Sequence, residues 1–598
     1  MQKFSFRVVA VCLTLVASLA FAQDEPLLTA NAESSAMIEQ YRKALDNLET
    51  PDAQAAALYQ LLNFQLRFTD KAPAAETVKE LIALAVRIEK VSLRTQLLEA
   101  AIFAQSELGD YDGAVKTTEN ILAAQARAEA QLNLAEKFLD DQEKKKSDKP
   151  FDVVALLRKA VDGAAEAKDS GLEALALAVL GGELLKTGNV DDAKTAFQKS
   201  RGKAAELEEI EERNVIGLII RNNVRSSQTA EAVALVDSMK TDEIKAVLTG
   251  VIARTEISEG RPDAARKTID SMKPGDARDS ALIELGRQVA KTESAAALLE
   301  LSKMMSMPER VEIFQQQIIG HLVTEKRFDV AGEFATSSAK PEDFQFLLSA
   351  HRLELLIDDK QFDDAEKLIE TFTDPRLKTG AIHHFSQACV QAGETDKAER
   401  LLADSRSEEE TEALKELAAA ATKAVAETNL EIRTETLFEI LQAQLQLLDF
   451  KGGRQTLVAI TDSVRKVENP AKRVPYLLVL SRVLSELDKT QARTTLGELF
   501  TFLTDIKDPM ELKELVPREQ PDPMQPILVV DLPVEESAVK EQFFILYVNI
   551  ANVLSKVDDG ETAKKALAKA TEMLAAEPEP DVKLQKMLFI AQIYAELQ

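Results

Sequence analysis

The sequence is poor in aromatic residues and in glycine. It contains no tryptophan, 6 tyrosines and 21 glycines in 598 residues. A β-sandwich or β-barrel needs many β-branched and aromatic residues and many turn glycines, so this composition argues against both. Alanine, leucine, glutamate and lysine dominate instead, and these residues are strong helix formers. The composition therefore predicts an all-α fold.

Cysteine is nearly absent. The chain has two cysteines, Cys12 and Cys389, and Cys12 lies in an apolar segment near the N-terminus. If that segment is removed, Cys389 has no partner within the chain, so no intrachain disulfide forms and stability must come from burial of apolar surface. The length suffices for several domains or for one long repeat array.

The N-terminus has the pattern of a secretory signal. Two basic residues precede an uncharged run at residues 8–20, and the small residues Ala20 and Ala22 occupy the positions that a signal peptidase reads. The run is shorter than the ~20 residues that a membrane-spanning helix needs. We therefore predict cleavage after Ala22, a periplasmic or secreted protein, and no integral membrane span. Lipid attachment at Cys12 is the alternative, although Val11 stands where a small residue is expected.

Acidic residues outnumber basic ones. The 100 Asp and Glu residues and the 73 Lys and Arg residues give a formal net charge of -27. Such a surface repels nucleic acid and anionic lipid headgroups, so neither is an expected partner. The acidic residues are interpreted as solubilising a large helical surface, and attraction of a basic partner is the alternative.

Two unrelated residue types recur with one period. Four prolines and six alanines each repeat at an interval of about 33 residues, which is typical of arrays of helix–turn–helix units. Each such unit leaves an apolar face for its neighbour to cover. The prolines are Pro274, Pro308, Pro341 and Pro375, and the alanines are Ala232, Ala265, Ala297, Ala331, Ala365 and Ala398.

One repeat shows the pattern in detail. Phe362, Ala365 and Ile369 recur at helical spacing and predict an apolar stripe on a first helix. Pro375 suits the first position of a second helix, where its missing N–H costs nothing. Gly393 follows that helix and suits its left-handed end. The repeat is therefore predicted to be an antiparallel helix pair.

Short segments at the predicted turns resemble tetratricopeptide-like repeats. Residues 109–114 read GDYDGA, 188–193 read GNVDDA, 361–365 read QFDDA and 393–398 read GETDKA. The resemblance covers residues 90 to 400 well and 430 to 575 loosely. It implies an α-solenoid of antiparallel helix pairs, a tetratricopeptide-like superhelix in which the alanine lets neighbouring helices pack closely.

The sequence divides into five predicted segments. Six prolines between residues 509 and 533 exclude a helix there. Inside this Pro-rich insertion the apolar residues 527–530 are interpreted as an ordered loop packed on the solenoid, or as an exposed strand that pairs with a partner. The last helix has no capping repeat after it, so the insertion or a partner is expected to cover it. The segments are the signal peptide 1–22, an N-terminal helical segment 23–140, the repeat array 151–505, the insertion 506–540 and closing helices 541–598.

Residues with chemical potential are few. The chain has four histidines, and His383 and His384 are adjacent, so they point ~100° apart on a helix and cannot share a metal on one face. Cys389 falls on an apolar stripe and is predicted to be a buried structural thiol. The other two histidines are His321 and His351.

Two further clusters have structural interpretations. Gly181 and Gly182 lie in a helical stretch and are expected to allow close helix contact. Met304, Met305 and Met307 are interpreted as core filling rather than as soft-metal ligands. We therefore predict no catalytic, cofactor-binding or metal-binding residues.

The resemblance implies a non-catalytic scaffold. Arrays of this kind present a long concave surface on which peptides or protein segments dock. We therefore expect a protein or peptide partner in the periplasm or at the cell exterior. The alternative is an exported carbohydrate-active enzyme on a helical superstructure, such as a toroidal lyase or a lytic transglycosylase. Those sites stack sugars on tryptophan and tyrosine. Tryptophan is absent from this chain and tyrosine is scarce.

Overall fold

The computed structural model describes residues 27–144, 151–338, 340–392, 394–515 and 536–597. The predicted signal peptide 1–22, Gly393 and the apolar residues 527–530 of the insertion lie outside this part. The described residues form 29 α-helices and two short 3₁₀ helices. A single bridge, between Leu28 and Phe68, is the β-pairing found among them. The predicted all-α fold is therefore confirmed.

The helices mostly follow one another through short turns. They are α1 (Ala32–Leu45), α2 (Pro51–Gln65), α3 (Ala72–Ala85), α4 (Val91–Glu107), α5 (Tyr111–Thr118), α6 (Ala124–Glu143), α7 (Val153–Ala167), α8 (Ser170–Lys186), α9 (Val190–Ala204), α10 (Glu209–Arg225), α11 (Thr229–Asp237), α12 (Asp242–Ser258), α13 (Pro262–Ser271), α14 (Asp276–Val289), α15 (Ala295–Lys303), α16 (Pro308–Thr324), α17 (Phe328–Thr336), α18 (Pro341–Asp358), α19 (Phe362–Glu370), α20 (Pro375–Gln391), α21 (Thr395–Ser405), α22 (Glu408–Val425), α23 (Leu430–Gln446), α24 (Phe450–Val464), α25 (Pro470–Leu487), α26 (Lys489–Asp505), α27 (Glu536–Lys556), α28 (Gly560–Met573) and α29 (Pro580–Glu596).

These helices belong to two compact units. Unit one takes the described residues of Met1–Thr77 and Phe372–Gln598, and unit two is Val78–Thr371. The segment boundaries predicted from the sequence stay a prediction. In the part of the chain that the structure describes, no helix has both the length and the hydropathy that crossing a membrane requires.

A three-residue turn joins the paired helices. In unit two the third turn residue donates its N–H to a carbonyl five residues earlier, as Arg261 does to Glu256 at 2.8 Å and Gln361 to Leu356 at 2.7 Å. The middle residue has a positive φ, +68° at Gly260 and 56° at Lys360. This left-handed residue satisfies carbonyls at the end of the first helix and reverses the chain.

Prolines open several helices, and for Pro375 this confirms the prediction from the sequence. Pro308, Pro341 and Pro375 are each the first residue of a helix. Pro274 differs, because it lies two residues before α14 and Gly275 precedes that helix.

The periodic alanines are packing positions. Five of the six are fully buried. Ala297 is the exception and the prediction there is wrong, since Ala297 is half-buried and Leu298 beside it is fully buried. The turn before α15 spans residues 290–294, longer than the three-residue turn elsewhere, and it shifts the register by one. With Leu298 in place of Ala297, the interval from Ala265 equals the interval between Ala232 and Ala265. The fully buried alanines are Ala232, Ala265, Ala331, Ala365 and Ala398.

A hydrogen bond, buried in three cases and partly buried in the fourth, crosses the helix pair in four repeats. A threonine on the second helix donates to a Gln or Glu side chain twelve residues earlier, at 2.7 Å in each case. Burial raises the pKa of Glu256, and the hydrogen bond from Thr268 opposes that shift. Each bond satisfies a polar group that would otherwise be costly inside the pair. The pairs are Thr77–Gln65, Thr117–Gln105, Thr268–Glu256 and Thr456–Gln444.

The first helices of unit two form a continuous layer. The helices α8, α10, α12, α14, α16 and α18 form this layer, and each of the first five packs against the next one, two elements along the chain. The second helices cover one side of this layer and share with it a buried cluster that includes Ile257, Leu285 and Phe314. The stacking predicted from the repeat is therefore present in this unit.

The last helix is covered by the first one within unit one. The side chain of Asn31 accepts the Ser34 N–H at 2.8 Å, which caps α1, and its amide donates to the Tyr594 carbonyl and, at 3.3 Å, to the Leu597 carbonyl. Lys564 pairs with Glu33 at 2.8 Å, and that hydrogen bond lowers the pKa of the Glu33 carboxyl. The cover of α29 is thus α1, whereas the sequence pointed to the insertion or a partner.

The left-handed turn residue sets a test of stability. Lys360→Gly removes a side chain that disfavours positive φ, so we expect the free energy of unfolding to rise by about 0.5–1 kcal/mol. Gly188→Ala is the matched opposite: its φ is +82° and an added Cβ meets nothing within 4 Å, so the expected loss of about 1 kcal/mol comes from the backbone alone. Urea unfolding measures both. If Lys360→Gly is less stable than the unmodified chain, the left-handed backbone conformation assigned to Lys360 is contradicted.

Asn31 allows the contact between α1 and α29 to be tested separately from the helix cap. Asn31→Ser keeps a capping oxygen and loses the amide donor, so we expect a loss of about 1 kcal/mol. Asn31→Ala loses the cap as well and should cost about 1 kcal/mol more. Urea unfolding of the two variants distinguishes these contributions. Equal stability of Asn31→Ser and the unmodified chain contradicts a stabilising role for the amide bonds.

Candidate functional site

The four histidines and Cys389 lie on helices. His321 is in α16 and His351 in α18 of unit two, while His383 and His384 are in α20 of unit one. Among the described residues, no group of three or more His, Cys, Asp and Glu side chains could hold a metal ion. Cys389 is fully buried, so the prediction of a buried thiol is confirmed.

The prediction that the glycine pair allows close helix contact is confirmed, and the prediction that the methionines fill the core is confirmed in part. A Cβ on Gly181 would lie 2.5 Å from Cε1 of Phe197 in the neighbouring helix. Met304 and Met305 pack against the buried cluster. Met307 is 38% exposed, so its prediction as core filling is wrong; it precedes α16, where its N–H donates to buried Asp279 at 3.0 Å.

The outer side of the first-helix layer repeats with the period of the packing alanines. On each of α10, α12 and α14, four positions at helical spacing face away from the buried cluster and are exposed or half-buried. We call these twelve positions the first-helix face. They are Asn214, Leu218, Arg221 and Arg225 on α10, Val247, Val251, Arg254 and Ser258 on α12, and Ser280, Glu284, Arg287 and Lys291 on and just after α14.

One position of this face is arginine on three successive first helices. Arg221, Arg254 and Arg287 are all exposed, and we call them the arginine row. Built Cβ atoms on Gly217 and Gly250 would lie 4.0 and 3.7 Å from Nη1 of Arg221 and Arg254, so both guanidinium groups lie back over the preceding helical turn. The same side-chain arrangement therefore recurs on neighbouring helices.

The arginine row is a local excess of positive charge. Arg221 is exposed but partly desolvated by surrounding protein atoms, which is the first cause of its lowered pKa; the nearby cations Arg225 and Arg254 lower that pKa further. Arg287 has an exposed partner on its own helix, Glu284, at 3.4 Å. In the part of the chain that the structure describes, the side chains of Arg221 and Arg254 form no ion pair. Like charges held side by side without an acid between them do not stabilise the fold.

Other basic residues of the array have structural contacts. Arg261 donates to the Val224 carbonyl at the end of α10, at 2.7 Å, and so joins adjacent repeats. Arg225 pairs with Glu259 at 3.4 Å and Lys291 with Glu325 at 3.3 Å. The unpaired members of the arginine row stand apart from these linking residues.

A groove in unit two lies on the other side of the layer. Two cavities, of about 480 and 220 Å³, follow one another between the second helices α9 and α11 and share Gln198 and Arg201. Lys194 and Glu231 bridge this groove at 3.2 Å, and the groove mixes acidic with basic side chains. Its charges are largely balanced, in contrast to the arginine row.

A shallow depression of about 600 Å³ lies in unit one. The Arg473 guanidinium is 4.5 Å from the ring centroid of Phe502, and Arg465 pairs with Glu498 at 2.6 Å. Asp505 also lines it, so its two cations face two acids. The arginine row therefore remains the strongest candidate for ligand binding.

Sequence reasoning missed the arginine row. It treated charge as a total of -27 and searched for motifs of catalysis and metal binding. The signal was present, since Arg221, Arg254 and Arg287 are evenly spaced along the chain, at the period of the packing alanines. Periodicity of an exposed residue type would have identified the row.

A scan against protein-family models and a search of curated proteins both give no match. The chain is similar to solved structures at low identity. Ton1535 from Thermococcus onnurineus NA1 has 12% identity and a TM-score of 0.17, over 82% of this chain and 97% of that one. The Cut9-Hcn1 hetero-tetramer of APC/C has 11% identity and a TM-score of 0.22, with 88% and 93% covered. The pentatricopeptide repeat protein PPR10 from maize has 12% identity and a TM-score of 0.24, with 96% and 88% covered.

The fold is identified from the helix pairs of this chain. Their three-residue turns, buried alanines and stacked first helices form the architecture of a tetratricopeptide-like helical repeat protein. The resemblance predicted from residues 109–114, 188–193 and 361–365 is confirmed at this level.

The different roles of two arginines can be separated by stability. Arg254→Gln removes an exposed cation with no acidic partner, so we expect the free energy of unfolding to change by less than about 0.5 kcal/mol. Arg261→Gln loses a charged donor to the Val224 carbonyl and should cost about 1–2 kcal/mol. Thermal and urea unfolding measure both. If Arg254→Gln lowers the free energy of unfolding as much as Arg261→Gln does, Arg254 has a structural role and the interpretation is wrong.

Proposed function

We propose that this protein is a non-catalytic scaffold of the periplasm or cell exterior that binds a segment of a partner protein on its first-helix face. The observation that carries the proposal is the continuous layer of first helices, whose outer row of side chains recurs once per repeat without serving the buried core. Such a surface meets an extended ligand with equivalent groups at equal intervals. Support for export comes from the signal pattern of residues 1–22.

Shape and chemistry of the face favour a protein ligand. Leu218, Val251 and Val247 place half-buried apolar surface next to the cations of the arginine row. Protein interfaces combine apolar anchors with arginine in this way, because arginine offers a planar hydrogen-bonding group on an apolar stem. The net charge of -27 disfavours nucleic acid, whose backbone is repelled at long range.

Site-specific photo-crosslinking tests this proposal. A photoreactive amino acid replaces Leu218 or Val251 on the first-helix face, and Val233 or Lys267 on second helices serves as the matched control. Val233 is 44% exposed, so the control position is accessible. The variants are exposed to envelope extract from the source organism, and crosslinked proteins are identified by mass spectrometry.

We expect one protein to crosslink from the first-helix positions, to be displaced by an excess of unlabelled chain, and not to crosslink from the controls. Equal crosslinking from both helix layers contradicts the proposed binding face. Turnover of peptidoglycan or of a polysaccharide by the purified chain contradicts a non-catalytic role.

A further inference from the structure

We propose that the arginine row binds an extended acidic segment of a partner protein that carries a carboxylate at every third residue. The inference rests on the proposed function and gives the chemistry of the partner. It follows from the charge of three residues, their spacing on packed helices, and the conformation that an extended chain needs to match that spacing.

Charge selects the ligand group. Arg221 and Arg254 are exposed cations near each other, and within the described residues neither side chain has an ion pair. A guanidinium group binds a carboxylate through two parallel N–H···O bonds, which is stronger and more directional than a contact with a single ammonium. Carboxylates of a partner would relieve the repulsion between the two arginines and supply the missing acid.

Arg287 belongs to the same row although it has a partner. Its contact with Glu284 is 3.4 Å long, and both side chains are 45% exposed. Exposed pairs of this kind contribute about 0–1 kcal/mol, so a carboxylate with two hydrogen bonds can replace Glu284 at small cost. The row therefore offers three successive binding positions.

Spacing selects the conformation of the ligand. The axes of packed helices lie about 8–10 Å apart, so arginines at one position of α10, α12 and α14 are separated by about that distance. A polyproline-II segment rises about 3.1 Å per residue and has three residues per turn, so every third side chain points the same way about 9.3 Å further on. In a β-strand, by contrast, residues three apart point to opposite faces.

A short acidic segment fits this protein better than a long polyanion. The first-helix face has five basic residues and one acidic residue, while the whole chain carries -27. Long-range repulsion therefore opposes nucleic acid, whereas a local segment with three carboxylates meets the cations directly. Binding is expected to weaken with salt.

Fluorescence anisotropy with two labelled peptides tests the inference. The first repeats Glu-Pro-Pro and holds a carboxylate at every third residue of a polyproline-II chain. The second has the same composition with its glutamates contiguous. The mature chain is titrated into each peptide at low and at physiological ionic strength. Its variant Arg221→Gln/Arg254→Gln/Arg287→Gln removes the row, and a triple lysine variant keeps the charge but loses the two-bond geometry.

We expect the Glu-Pro-Pro peptide to bind about tenfold more tightly than the contiguous one, as three exposed pairs would provide. The glutamine variant should abolish this preference, and the lysine variant should bind between the two. Far-ultraviolet circular dichroism and urea unfolding confirm that both variants are folded. Equal affinity for the two peptides overturns the inference, as does a glutamine variant that binds unchanged, or tighter binding of single-stranded RNA.

The outcome is separable from that of the proposed function. If Leu218 and Val251 crosslink a partner while no acidic peptide binds, the face is a docking surface for another chemistry and this inference alone is overturned. If neither crosslinking nor peptide binding occurs, the proposed function is overturned as well.

Discussion

The left-handed turn between paired helices is the constraint on which the array depends. It returns the chain after three residues, so the two helices of a pair lie side by side and share one apolar seam. The pair still leaves an apolar side, which the next pair covers. Because the turns at Gly260, Lys326 and Lys360 recur with the repeat, equivalent positions return on successive first helices. The arginine row is a consequence of that regularity.

Polar groups in unit two divide into those that hold the array together and those that do not. Thr268 and Glu256 satisfy each other inside a pair, and Arg261 joins one repeat to the end of a helix in the previous one. The buried carboxylate of Asp279 accepts N–H groups of Ser306 and Met307 and fixes the turn before α16. Arg221 and Arg254 have no comparable duty, and surfaces without a structural role are where binding residues are found.

The sequence predicts the helix pairs well because their signals are local. Pro308 marks a helix start because of its covalent geometry. Ala331 marks a close packing position because it is small. Lys326 and Lys360 could not be predicted as left-handed residues, since lysine is disfavoured there and takes the conformation only because the packed helices require it. The shift from Ala297 to Leu298 likewise depends on the length of one turn. The contact of Asn31 with Tyr594 could not be predicted, because these residues are far apart in the chain and no local sequence pattern indicates it.

Chemical protection of its side chains tests most directly whether the arginine row is a docking surface. The purified chain is treated with phenylglyoxal, which modifies accessible guanidinium groups, before and after it binds the partner identified by crosslinking. Modification is quantified by mass spectrometry. We expect Arg221, Arg254 and Arg287 to become protected together, while Arg158 on α7, whose side chain is 59% exposed, remains reactive. Undiminished modification of the three arginines in the complex would contradict it.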